Sequence, residues 1–127
     1  MRNFKTAYIM SGEEISLLLK YKDQVQPTYP MIHIMSEYIS ECEDTEAVIN
    51  SLINKNMARK SDDILIMDAI IDYLVIESLQ AQIIWVVEKD NEGKPIFLIK
   101  TKHLYLKVES YSHIIDAYKI TPYQYLG

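Results

Sequence analysis

The two stretches Ile83-Ile84-Trp85-Val86-Val87 and Ile96-Phe97-Leu98-Ile99 most constrain what this chain can fold into. Each is β-branched or aromatic almost throughout, the composition of a strand. Between them lies Asp90-Asn91-Glu92-Gly93-Lys94, whose Asn and Gly supply the positive φ that a hairpin reversal needs. Successive side chains of a strand point to opposite faces. Ile83, Trp85 and Val87 therefore share one face and Ile84 and Val86 the other, while Ile96 and Leu98 oppose Phe97 and Ile99. Both faces of this hairpin are apolar, and both call for cover. Thr101-Lys102 permits another reversal into His103–Val108. There Leu104, Leu106 and Val108 point one way and His103, Tyr105 and Lys107 the other, the pattern of a half-buried strand.

The preceding half reads mainly as helix. Ser11-Gly12-Glu13-Glu14 is a capping box, followed by an apolar stripe of Ile15, Leu18 and Leu19, which predicts a helix over 12–22. Val48, Ile49, Leu52 and Ile53 predict a second helix, with Asp44 or Thr45 as its cap. Asn56 stands where such a helix ends in a left-handed residue, and Met57 follows as the apolar contact that closes the end. Arg59-Lys60 then place positive charge near the negative helix terminus. Ser61–Leu65 reads as a polar turn followed by an extended piece. Ile66 to Glu77 reads as a third helix, capped by Asp68, with Ile70, Ile71 and Leu74 inward and Asp72 and Glu77 on the wet side. Lys5–Met10 is β-prone, Met31–Met35 fits a strand or a helical turn, and Tyr111–Leu126 fits a helix or a fourth strand. The chain thus reads as one α+β domain over 1–127, mainly helical over 1–80 and mainly β over 81–127. An antiparallel sheet built from the hairpins of 81–108 carries about three short helices on one face.

Composition narrows the function classes. The 127 residues suffice for one domain with its own core, and the net charge of −5 disfavours nucleic acid. Arg2 and Arg59 are the only arginines, too few for phosphate recognition by bidentate contacts. The single cysteine, Cys42, fits a reducing cytoplasm. No signal peptide or run of roughly 20 apolar residues is visible, so a cytoplasmic protein without membrane insertion is expected.

No pattern of catalysis or cofactor binding emerges. His33, His103 and His113 lack metal-site spacing, and Cys42 sits in an acidic run that opposes thiolate formation. Gly12, Gly93 and Gly127 cannot build a phosphate loop, and Asp62-Asp63 suits a turn better than acid–base work. The acidic run Glu41–Glu46 suits a helix N-terminus rather than a cation site. The expectation is a protein with no enzymatic activity, metal or cofactor.

The hairpin points instead to a protein interface. Three short helices cover one face of a sheet, and a contiguous apolar patch left open marks an interaction site. Trp85, Phe97, Ile99 and Tyr105 are the residues assigned to it. The competing reading is that the segment from Tyr111 folds back over this face. The ten tyrosines, amphipathic and favoured at interfaces, lean toward binding.

In order of parts the chain resembles one half of the EspG-type chaperones of type VII (ESX) secretion. Tyr8-Ile9-Met10-Ser11-Gly12-Glu13-Glu14-Ile15 with Leu18-Leu19 is similar to that family's opening strand and helix start, and Pro30-Met31-Ile32-His33-Ile34 to its Pro-led apolar segment. Ser51-Leu52-Ile53-Asn54-Lys55-Asn56-Met57-Ala58 resembles its helix end, with Asn56 in place of the usual Gly. Asp68, Ile70, Ile71 and Leu74 resemble its next helix, and the hairpins follow in the same order. The resemblance implies a cytosolic adaptor that holds a helical export substrate. Because the family has two halves around a shared sheet and this chain has one, it also implies pairing with a second copy, as a homodimer, or with another such half. The chain lacks the Trp-x-Gly turn of the exported substrates themselves. Two other functions fit the sequence: an immunity protein against a basic toxin, and a winged-helix regulator, whose recognition helix would carry Asp68, Asp72 and Glu77.

Overall fold

The structure, a computed structural model, describes residues 7–21, 43–89, 95–111 and 116–124. The reversal assigned to Asp90–Lys94, the segment Met31–Met35, and Cys42, His33 and His113 lie outside the described residues. The fold is α+β. In chain order the elements are β1 (Tyr8–Ser11), α1 (Gly12–Tyr21), α2 (Thr45–Asn54), β2 (Ala58–Ser61), β3 (Ile64–Met67), α3 (Ala69–Leu79), β4 (Ile83–Lys89), β5 (Pro95–Lys100), β6 (Leu104–Ser110) and β7 (Ala117–Gln124). The main sheet is antiparallel with order β1-β7-β6-β5-β4, and β2 and β3 form a separate two-stranded sheet.

The capping box forms as the spacing requires. The Glu14 N–H donates to Ser11 Oγ at 3.0 Å, and the Ser11 N–H to Glu14 Oε1 at 2.8 Å. Asp44 caps α2 by accepting from the Ala47 N–H at 3.1 Å. Asn56 adopts φ 61°, the Met57 N–H donates to Leu52 O at 2.9 Å and the Asn56 N–H to Ile53 O at 3.0 Å. That is a Schellman closure, with Leu52 and Met57 both buried in the core.

Beyond this point the chain departs from the expected helix. Arg59 and Lys60 belong to strand β2 and do not decorate a helix end, while Ile66 and Met67 belong to β3. Asp62 and Asp63, at φ 51° and 65°, make the two-residue turn between them, with positive φ at both positions as a type I′ turn requires. α3 therefore starts at Ala69, with Asp68 as its cap accepting from the Ile70 and Ile71 N–H groups. The ambiguous C-terminal segment is a strand. β7 lies in the plane of the sheet between β6 and β1, so it widens the sheet and does not itself cover the outer face.

All three described helices share one core with one face of that sheet. Ile15, Leu18 and Leu19 from α1, Val48 and Leu52 from α2, and Ile71, Leu74, Val75 and Leu79 from α3 pack with Tyr8, Met10, Phe97, Ile99, Leu104, Leu106 and Val108. Every one of those sheet residues falls on the same side of the pleat. An apolar cavity of about 50 Å³ remains where α1 and α3 meet the sheet, lined among others by Val75, Ser78 and Val108.

Candidate functional site: the open face of the sheet

Strand register sorts the residues assigned to an interface. Trp85 pairs with Leu98, and Val86 with Phe97. Directly paired residues share a face, so Trp85 and Phe97 point to opposite sides. Phe97 and Ile99 are 1% and 0% exposed, sealed beneath the helices. They are core residues, and their assignment to a binding surface is corrected here. Trp85, 40% exposed, and half-buried Tyr105 lie on the other face.

That outer face has a simple order across the strands. One cross-strand row reads Ile83, Lys100, Tyr105, Tyr123, and the next reads Trp85, Leu98, Lys107, Thr121. Trp85, Leu98, Tyr105 and Tyr123 line a shallow, open depression between them. Ile83 and Tyr123 are largely exposed, Tyr123 at 48%. Sequence reasoning missed Leu98, Tyr123 and Lys100. Leu98 was recoverable from the register, had the irregularity between Val86 and Glu88 been foreseeable. Tyr123 became assignable only once Tyr111–Leu126 resolved into a strand.

The electrostatics of this face differ from those of the chain as a whole. The two rows contain Lys100 and Lys107 and no acid, in a protein of net charge −5. Lys102 and His103 stand exposed in the adjoining β5–β6 turn. The following row carries Glu88, opposite Ile96, and Glu109, opposite Lys119, and the Glu109 carboxylate lies 3.0 Å from Lys107 Nζ.

Two buried carboxylates lie apart from this face and look more like chemistry at first sight. Glu77, assigned to solvent by its position on α3, is 3% exposed. Its Oε1 accepts from the His103 N–H at 3.1 Å, from Tyr73 OH at 3.3 Å and from Thr101 Oγ1 at 3.3 Å, and lies 2.9 Å from His103 Nδ1. Glu14 accepts from Ser51 Oγ at 2.8 Å and Lys55 Nζ at 2.6 Å, in addition to its capping bond. Each carboxylate gathers donors from distant elements, and each ties a helix to its surroundings: Glu14 joins α1 to α2, and Glu77 joins α3 to the β5–β6 turn. Among the described residues no group of three or more His, Cys, Asp or Glu is placed to hold a metal ion. No described helix is long and apolar enough to cross a membrane.

No family model matches this chain, and no curated protein or solved structure matches it either.

Proposed function

We propose that the chain is a non-enzymatic adaptor that binds a protein partner on the outer face of its sheet. The observation that carries this reading is the depression of Trp85, Leu98, Tyr105 and Tyr123, apolar and aromatic yet open to solvent. Fully burying such a side chain is worth about 1.5–3 kcal/mol, so the patch is a standing source of association energy. Trp and Tyr are also the residue types that most often dominate binding energy at interfaces.

The most concrete form of the proposal follows the likeness of parts described above: a cytoplasmic chaperone for a helical substrate of type VII secretion. A corollary is that a single half pairs with a second copy. Edge strand β4 supports this, because Val86 stays 51% exposed although its cross-strand neighbour Phe97 is sealed. The immunity reading gains less support, since a basic toxin calls for an acidic docking surface and the aromatic rows carry lysines. The regulator reading also weakens, because α2 and α3 are joined by a β-hairpin and not by the tight turn of a helix–turn–helix.

Co-expression with helical substrates of type VII secretion tests the proposal. Wild type is expected to retain one of them through purification, and a Trp85→Ala/Tyr123→Ala double variant to release it. Equal retention by the two proteins would remove the outer face from the argument. Light scattering tests the corollary separately, with a dimer expected and a monomer refuting it.

A further inference from the structure

We propose that the outer face is built for an acidic amphipathic helix, laid across the strands with its apolar stripe in the aromatic depression and its carboxylates on Lys100 and Lys107. This deepens the docking role proposed above and rests on it.

Charge is the first argument. Acids outnumber bases 18 to 13 in the chain, yet the two aromatic rows hold two lysines and no acid. Lys102 extends the positive character into the adjoining turn. The Lys107–Glu109 pair is partly exposed and contributes little stability, so exchanging Glu109 for an incoming carboxylate costs little. An acidic partner is attracted to these rows, and a basic one is repelled.

Shape is the second. An extended peptide adds to a sheet at its edge, where backbone groups are open, whereas a helix fills a face. Neighbouring strands lie about 4.8 Å apart, and helical positions three or four residues apart are separated by about 5–6 Å. A helix crossing β4, β5, β6 and β7 therefore sets one apolar side chain per strand over Trp85, Leu98, Tyr105 and Tyr123. Its flanking acidic positions fall over the lysine of either row. Single-stranded nucleic acid also uses aromatic and basic sheet faces. It is disfavoured here because two lysines and no arginine in these rows offer few phosphate contacts.

Trp85 is the only tryptophan of the chain and sits in the depression, so its fluorescence reports occupancy directly. The probes are two designed helical peptides with the same leucine and phenylalanine stripe, one flanked by glutamates and one by lysines, and an oligouridine strand. The acidic peptide is expected to change the emission saturably and to bind about tenfold more tightly than the basic one. In a Lys100→Glu/Lys107→Glu variant the preference is expected to invert, each reversal exchanging a few-fold attraction for a similar repulsion. Tyr123→Ala is expected to weaken both peptides.

Equal affinities, an unchanged preference in the reversal variant, tighter binding of the oligouridine, or no response to the acidic peptide up to about 1 mM would each overturn the inference. If Tyr123→Ala weakens binding while the lysine reversals do not, the docking face stands and only the acidic partner falls.

Discussion

Glu77 is where stability can be tested most sharply, because its position in the sequence and its surroundings in the fold predict opposite signs. It lies in the last turn of α3, where the helix dipole disfavours an anion. Were it solvent-facing, Glu77→Ala would leave stability within about 0.5 kcal/mol of wild type or slightly raise it. In the structure it is buried and gathers the His103 N–H, the Thr101 hydroxyl and the Tyr73 hydroxyl on one oxygen. Thr101 has an alternative acceptor in Leu104 O at 3.0 Å, but the His103 N–H loses its carboxylate outright. Hydrogen bonds to a charged acceptor contribute about 1.5–3 kcal/mol, and the part-buried His103 N–H recovers only part of that from water. The expected loss for Glu77→Ala is therefore about 2–4 kcal/mol. With a urea m value of roughly 1–3 kcal/mol/M, the midpoint should fall by about 1–2 M. Glu77→Gln keeps one acceptor oxygen and should lose about 1 kcal/mol. Urea unfolding followed by far-UV circular dichroism measures all three proteins. A Glu77→Ala midpoint equal to or above wild type would show that the cluster does not hold α3 to the β5–β6 turn.

Three further outcomes follow from single positions. Asn56, at φ 61°, should gain about 0.5–1 kcal/mol of stability when replaced by Gly and lose about 1 kcal/mol when replaced by Ala, read as opposite shifts in thermal midpoint. Val75→Ile adds a methylene beside the cavity of about 50 Å³ and should raise stability by about 0.5–0.8 kcal/mol, and a lower midpoint would mean that the space is not available to it. Burial, with a smaller contribution from the Asp116 carboxylate, raises the Tyr118 phenol above its ordinary value of 10.0. The unfolded chain therefore releases this proton first, so Tyr118 contributes its stability fully below pH 10 and loses it as pH rises through the raised value. Tyr118→Phe should flatten that alkaline decline in a stability-versus-pH series, and an identical slope would refute it.

How much of this was legible in the chain varies with the range of the interactions involved. The capping box at Ser11–Glu14, the Asn56 stop and the alternation of Leu104, Leu106 and Val108 are local, and residues a few positions apart encode them completely. The β2–β3 hairpin was legible only in part: Asp62-Asp63 reads as a turn and Ile64-Leu65 as extended, but Ala58-Arg59-Lys60-Ser61 carries no strand-forming side chain and Ile66-Met67 runs into the apolar start of α3 without a change of period. Glu77 was misplaced because its donors at Thr101 and His103 are supplied from another element. The sequence leaves Tyr111–Leu126 between a helix and a fourth strand, and Pro122 lies within the strand that forms. β1 pairs only with Ala117–Ile120 of β7, so at Pro122 the strand has a described partner on one side alone, where a missing N–H is tolerated. The candidate face was half legible. Alternation identified a hairpin apolar on both sides, but only the register separates Trp85 from Phe97.

The same register explains why the open face is a property of the fold and not a defect in it. Glu14 fixes α1 and α2 together, and Glu77 fixes α3 to the sheet's β5–β6 turn, all on the side of Phe97 and Ile99. No described helix can move to cover Trp85 without surrendering one of these buried carboxylate clusters and uncovering the core it shares with the other sheet face. β7 does not serve as cover either, since its backbone is committed between β6 and β1. Cover for Trp85, Leu98, Tyr105 and Tyr123 therefore costs least when it comes from outside the described core. An incoming helix meets a face already held in register by hydrogen-bonded strands, so association orders little of the receiving surface and that part of the cost of binding is small.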